Sequence, residues 1–176
     1  MRLLDQDFEL FLTQAEIESA IAVMAGELAK DYRGTCPLFV GVLNGCFRFA
    51  AELFKHYDGP CEVSFVKMAS YQGLTSTGIV ETLLDVSESV EGRDVVILED
   101  IVDSGHTLQH LVTHFADKNI RSFKIATLFY KPASYHKEYE IAYKGIDLPS
   151  EFVVGYGLDY NERGRELNDL YILKNT

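Results

Sequence analysis

Apolar positions recur along this chain at intervals that change from segment to segment, and the changes outline its elements. Thr13 and Glu16 stand at capping-box spacing, and Ile17, Ile21, Met24 and Leu28 follow at helical intervals, which predicts a first helix over residues 14–30. Residues 38–43 form a short apolar run, Asn44-Gly45 a turn, and Phe47, Ala50, Ala51 and Phe54 mark one face of a second helix. Residues 61–68 alternate as a strand, residues 69–78 read as a polar loop, and residues 79–85 as a returning strand. Val95, Val96, Ile97 and Leu98 form an uninterrupted buried-strand run; a polar turn over residues 99–105 follows, then a helix marked by Leu108, Leu111, Val112 and Phe115. Residues 122–130 read as another strand, ending at Lys131-Pro132. Strand, loop, helix and strand in that order predict a single α/β domain with a mostly parallel sheet, in which ligands gather at the carboxyl ends of the strands.

Composition narrows the class. A chain of 176 residues, 47% hydrophobic, is large enough to bury a continuous core. Its three cysteines, Cys36, Cys46 and Cys61, are odd in number and form no C-x-x-C pair, which favours a reducing compartment over a disulfide framework or a zinc site. The longest uncharged stretch, residues 34–47, is too short and too interrupted to cross a bilayer, and acids at Asp5, Asp7 and Glu9 stand where a secretory signal would be apolar. A cytoplasmic protein without a membrane partner is expected. The formal net charge of −11 disfavours a nucleic-acid partner, because non-specific affinity for the phosphate backbone comes from lysine and arginine.

The chemistry concentrates in the turn after the central strand, where Glu99, Asp100, Asp103, Ser104, Gly105, His106 and Thr107 crowd between a buried strand and a helix. Amides at a helix N-terminus carry partial positive charge, and with the Ser104 and Thr107 hydroxyls they can surround a phosphate monoester where Gly105 lets the backbone approach. Glu99 and Asp100 are acceptors suited to sugar hydroxyls and to a magnesium ion with its water shell. Asp103 would repel the phosphate unless it pointed elsewhere, toward a reacting base. One acid after a strand would be read as a helix cap facing water; three acids beside a Ser-Gly-x-Thr cradle are less easily accidental. The chain has neither a lysine-bearing phosphate loop of the Walker type nor a dinucleotide glycine fingerprint.

Residues 95–107 resemble the phosphoribosyl pyrophosphate signature of the type I phosphoribosyltransferases, and the Glu-Asp-Ile-x-Asp-Ser-Gly form is closest to the hypoxanthine-guanine phosphoribosyltransferases. The resemblance extends over residues 10–173, because further segments of that family recur in order. It implies the type I fold, a central sheet flanked by helices with a small hood built from the chain termini, and one domain over residues 1–176. It also implies transfer of a 5-phosphoribosyl group to a 6-oxopurine, with phosphoribosyl pyrophosphate and the base as partners, Mg2+ as cofactor, and a homodimer or homotetramer as the assembly.

Residue by residue, the resemblance implies these roles. Leu43, Asn44 and Gly45 fall at the family's first loop, which binds pyrophosphate through backbone amides; many relatives have lysine at the position of Asn44, and by itself Asn-Gly is simply a good turn. Ser70, Tyr71, Ser76, Thr77 and Gly78 resemble the lid that closes over the reaction centre. Lys131 matches the residue that recognises the purine: an ammonium only donates, so it favours an oxygen at position 6 and disfavours adenine. Phe152 matches the stacking aromatic, Val153 and Asp159 the groups that read the base edge, Asp159 a second magnesium ligand beside Glu99 and Asp100, and Arg165 the pyrophosphate arginine. Without the resemblance, Lys131 and Arg165 would read as surface charges and Phe152 as a core aromatic. Asp103 is the implied catalytic residue, and the 5-phosphate falls to residues 103–107, with His106 where many relatives have lysine.

His106, His110 and His114 recur every four residues, but lie away from Leu108, Leu111, Val112 and Phe115, so they read as a solvated helix face rather than a metal stripe. Two competing functions remain: a nucleotide-sensing regulator that binds RNA, which the acidic balance opposes, and the same transfer to xanthine, uracil or adenine, which Lys131 and Phe152 oppose for all but 6-oxopurines.

Overall fold

The structure, a computed structural model, describes residues 1–70, 80–86 and 89–174. The first helix, α1 (Gln14–Asp31), begins as its capping box dictates: Thr13 accepts from the Glu16 amide while the Glu16 carboxylate accepts from the Thr13 amide at 2.8 Å. Ile17, Ile21, Met24, Ala25 and Leu28 form its buried stripe.

Six strands make the main sheet: β3 (Leu38–Leu43), β4 (Glu62–Ser70), β5 (Val80–Leu84), β6 (Asp94–Val102), β7 (Ser122–Tyr130) and β8 (Tyr143–Asp147), in the order β5-β4-β3-β6-β7-β8. Five run parallel, and β5 returns antiparallel to β4. β6 lies near the centre and shows why the sheet is covered on both sides. Val95 and Ile97 face one apolar cluster with Leu108, Leu111 and Phe115 of α3 (His106–Phe115). Val96 and Leu98 face the other, with Ile17, Ile21 and Leu28 of α1 and Phe49 and Leu53 of α2 (Phe47–His56). Each such fully buried side chain contributes about 1.5–3 kcal/mol of transfer free energy, so β6 anchors both layers.

A second, antiparallel sheet of order β1-β2-β10-β9 joins β1 (Arg2–Leu3), β2 (Gln6–Leu12), β9 (Val153–Gly155) and β10 (Leu170–Leu173). Segments far apart in sequence pair there, Phe8 with Leu173 and Leu12 with Leu170, as in the expected hood. The hood is tied to α1 where the Gln14 amide donates to Asp169 Oδ1 at 2.8 Å.

Two details differ from the pattern reading. The covered face of α2 carries Phe49, Ala50 and Leu53, whereas Phe47 is 44% exposed and Ala51 is exposed. Phe49 and Leu53 are one helical turn apart and meet α1 and the sheet, while Phe54 sits at the border, edge-on to Phe39 at 5.3 Å. The central strand also runs further than expected. Glu99 pairs with Thr127, Ile101 with Phe129 and Val102 with Tyr130, so Glu99 and Asp100 belong to β6 and the turn is confined to residues 103–105. Strand pairing fixes these two acids more rigidly than a loop would. Cys36, Cys46 and Cys61 are all free thiols. Among the described residues, no helix is long and apolar enough to cross a membrane.

Candidate active site

Parallel strands deliver the ends of β3, β6 and β7 to one edge of the sheet, and residues 99–108 line a cavity of about 250 Å³ there. Gly105 enters α3 with φ +81°, a conformation that side-chain-bearing residues avoid. A Cβ at that position would also lie 2.7 Å from the Tyr135 ring and 2.8 Å from Lys137 Cγ. Ser104, His106 and Thr107 surround this turn and are exposed, with Ser104 Oγ 2.9 Å from His106 Nδ1. The turn therefore presents hydroxyls and the leading amides of α3 to the cavity, the arrangement that binds a phosphate.

Glu99 and Asp100 form the acidic wall. Glu99 is 5% exposed, and its Oε2 finds no hydrogen-bond partner among the described residues. Burial, and then the neighbouring Asp100, raise the Glu99 carboxyl well above the usual range. Burial likewise raises Asp100, opposed by the hydrogen bond its Oδ1 accepts from the Ile101 amide at 2.9 Å and by the charge of Arg165. A buried carboxyl with an orphaned oxygen beside a half-buried one is a donor set that a hard divalent cation would complete. Asp159 does not join them: its Oδ1 pairs with Arg165 Nη2 at 2.5 Å and its Oδ2 accepts from the Glu162 amide at 2.8 Å. Among the described residues no three ligand-type side chains converge into a metal cage.

The first loop meets this wall directly. Gly45 is buried, and a Cβ there would overlap the Asp100 carboxylate. The Leu43–Asn44 peptide bond is cis, and Asn44 is exposed. Gly157 closes the other side, because a Cβ on it would run into the Gly45 carbonyl oxygen. Arg165 Nη1 donates to the Gly157 carbonyl at 2.8 Å, so the arginine stands beside the first loop, half-buried and already paired.

Lys131 and Phe152 reverse what their residue types alone suggest. Lys131 is only 5% exposed, and its Nζ donates to the carbonyls of Glu151 at 2.9 Å and Ser150 at 3.3 Å and to Asp103 Oδ2 at 3.4 Å. Phe152 is 43% exposed, backed by Tyr160 at 5.8 Å and Phe8 at 6.4 Å between ring centroids. A buried lysine is unusual, and the Glu151 carbonyl that holds it adjoins the exposed Phe152. Val153 is buried in β9, paired with Ile172. Asp103 is exposed and faces Lys131 rather than the phosphate turn.

Of the lid, Ser70 ends β4, and Tyr71, Ser76, Thr77 and Gly78 lie outside the described residues. The three helix histidines do not gather: His106 bonds Ser104, while His114 Nε2 lies 2.8 Å from Asp85 Oδ1. Sequence reasoning missed Arg48, which reaches across to residues 166–168. A signal was there, since a basic residue and no acid in the first turn of α2 opposes the helix dipole. It also missed the backing of Phe152 by Phe8 and Tyr160.

A parallel sheet that ends in a glycine turn lined with hydroxyls and helix amides, beside paired acids, has the donors and acceptors suited to a sugar phosphate. The phosphoribosyl transferase domain matches residues 10–161, and this chain belongs to that family. It is 41% identical to the hypoxanthine-guanine phosphoribosyltransferase of Bacillus subtilis over 94% of this chain and 93% of that one. It is also 41% identical to that of Streptococcus pneumoniae, over 98% and 97%. The crystal structure of a hypoxanthine phosphoribosyltransferase from Staphylococcus aureus superposes with a TM-score of 0.89 at 37% identity, over 97% of this chain and 92% of that one.

Proposed function

We propose that this chain transfers the 5-phosphoribosyl group of phosphoribosyl pyrophosphate to hypoxanthine or guanine, giving IMP or GMP and pyrophosphate. The observation that carries this reading is Lys131: a buried ammonium between Asp103 and the segment leading to Phe152, at the rim of the phosphate turn. An ammonium there would donate to the 6-oxygen of a base stacked on Phe152, while Asp103 would exchange the proton of ring nitrogen 7 as nitrogen 9 attacks ribose carbon 1. Adenine would place an amino group against that donor.

Residues 103–107 would hold the 5-phosphate. The carboxylates of Glu99 and Asp100 would hold the ribose hydroxyls and favour the positive charge that develops on the sugar. The amides of residues 43–45 and the Arg165 guanidinium would receive the departing pyrophosphate, and the main chain of Val153 and Asp159 would read the base edge. Magnesium would be held on the Glu99 and Asp100 side, with Asp159 facing a second ion, and would supply charge neutralisation for the pyrophosphate oxygens.

The test is direct. With phosphoribosyl pyrophosphate and magnesium, the protein should form nucleotide from hypoxanthine or guanine and not from adenine or uracil. Equal use of adenine would overturn the role given to Lys131.

A further inference from the structure

Arg48 makes one of the most extensive long-range side-chain contacts in the molecule. It stands in the first turn of α2, three residues after Gly45. Nη1 donates to the carbonyls of Glu166 at 3.0 Å and Leu167 at 2.6 Å, and Nη2 donates to Asn168 Oδ1 at 2.9 Å. The guanidinium carbon also lies 4.6 Å from the centroid of the Tyr156 ring, which is 2% exposed.

These partners belong to the two limbs of one turn. Residues 155–160 run out and residues 163–168 return, joined at the tip by an isolated bridge between Tyr160 and Arg163, while a second bridge, Gly155 with Leu158, folds the outgoing limb on itself. The Tyr156 amide donates to the Leu167 carbonyl at 2.9 Å and the Gly157 amide to the Arg165 carbonyl at 3.1 Å, so the limbs are laced together. Arg48 stacks on the outgoing limb and bonds the returning one, sharing the Leu167 carbonyl with the Tyr156 amide. The first carbonyl it grips belongs to Glu166, the residue next to Arg165.

We propose that Arg48 is a positioning residue for pyrophosphate recognition, holding Arg165 at a fixed place relative to the first loop. The proposal rests on the reading that residues 43–45 and Arg165 receive pyrophosphate. Arg48 and Gly45 belong to one stretch of chain, and Gly157 abuts the Gly45 carbonyl, so the two halves of that subsite share one anchor. The anchor matters more here because Asn44 brings no side-chain cation to the first loop, so Arg165 is the side-chain cation assigned to that subsite beside magnesium. Arginine is suited to such an anchor, because its planar fork bonds several acceptors in fixed directions while its flat face stacks on an aromatic ring, a geometry that the point charge and flexible stem of lysine do not reproduce.

The test compares the full-length enzyme with R48A, R48K, R165A and R48A/R165A. The KM for phosphoribosyl pyrophosphate and the inhibition constant of inorganic pyrophosphate should rise in R48A by on the order of ten- to a hundredfold. The KM for the base should stay within about twofold. R48K should recover only a minor part, and it carries the comparison if R48A does not fold. In the R165A background, removal of Arg48 should add less than about twofold to either constant, because the side chain it positions is gone. Unchanged pyrophosphate constants in R48A, a fully wild-type R48K, or an equal loss in both backgrounds would overturn the proposal. A wild-type protein that forms no nucleotide would instead sink the functional reading on which it rests.

Discussion

Replacing Gly45 with alanine should separate activity from stability. The added methyl would overlap Oδ2 and Cγ of Asp100, so the carboxylate must swing away and surrender its 2.9 Å bond from the Ile101 amide. Overpacking of this kind costs about 1–3 kcal/mol. The lower end is expected, because Asp100 is a carboxyl that burial already disfavours, and the swing returns it toward water. At about 2–4 °C per kcal/mol for a chain of this size, the thermal midpoint should fall by only a few degrees. The catalytic loss should be larger: Asp100 leaves the ribose side of the cavity and the first loop is displaced in the same stroke. Losing one oriented charge-assisted hydrogen bond and one aligned amide, at about 2 kcal/mol each, would lower kcat/KM for phosphoribosyl pyrophosphate by about a thousandfold. Steady-state kinetics beside a thermal melt decide the matter. A kcat/KM within threefold of wild type would show that the Gly45–Asp100 contact does not organise the site.

Three further outcomes are expected. Asp103→Asn should keep the fold and the binding of phosphoribosyl pyrophosphate but lower kcat by about 10²–10⁴, and turnover near wild type would remove Asp103 from proton transfer. Lys131→Met should raise the KM for hypoxanthine at least about tenfold while costing little stability, because methionine fills the buried stem; an unchanged hypoxanthine KM would refute base recognition by this residue. Asp100→Asn should stabilise the metal-free protein while destroying activity. The folded carboxyl holds its proton to a higher pH than the unfolded one, so no penalty exists below the ordinary value of 3.8, and the penalty is complete once pH has risen through about 6. The gain in thermal midpoint should therefore grow over that interval, and a gain that shrinks as pH rises would contradict the sign.

What the sequence revealed follows from range. The capping box of α1 and the apolar runs of β3, β6 and β7 are local patterns, and the structure places those elements within a few residues of the expected ends. The face of α2 is ambiguous in sequence because aromatic residues occupy both of its sides, and only contact with α1 and the sheet decides that Phe49 is covered and Phe47 is not. Pairing with β7 carries β6 through Val102, against the polarity of Glu99 and Asp100 that suggests a turn. The hood was visible only through family resemblance, since β2 alternates weakly and its partner β10 is more than 150 residues away. In the site, residues 103–107 were legible as a local cluster. Burial of Lys131 and exposure of Phe152 were not, because both depend on where residues 150–152 cross the end of β7. Arg48 escaped for the same reason: its partners lie about 120 positions downstream.

The product nucleotide should lie across the edge of the sheet where β6 and β7 end. A crystal structure with IMP or GMP bound should show the 5-phosphate in the turn of residues 104–107, the ribose hydroxyls against Glu99 and Asp100, and the base between Phe152 and Lys131. A nucleotide seated elsewhere, or one whose phosphate leaves that turn untouched, would contradict the account.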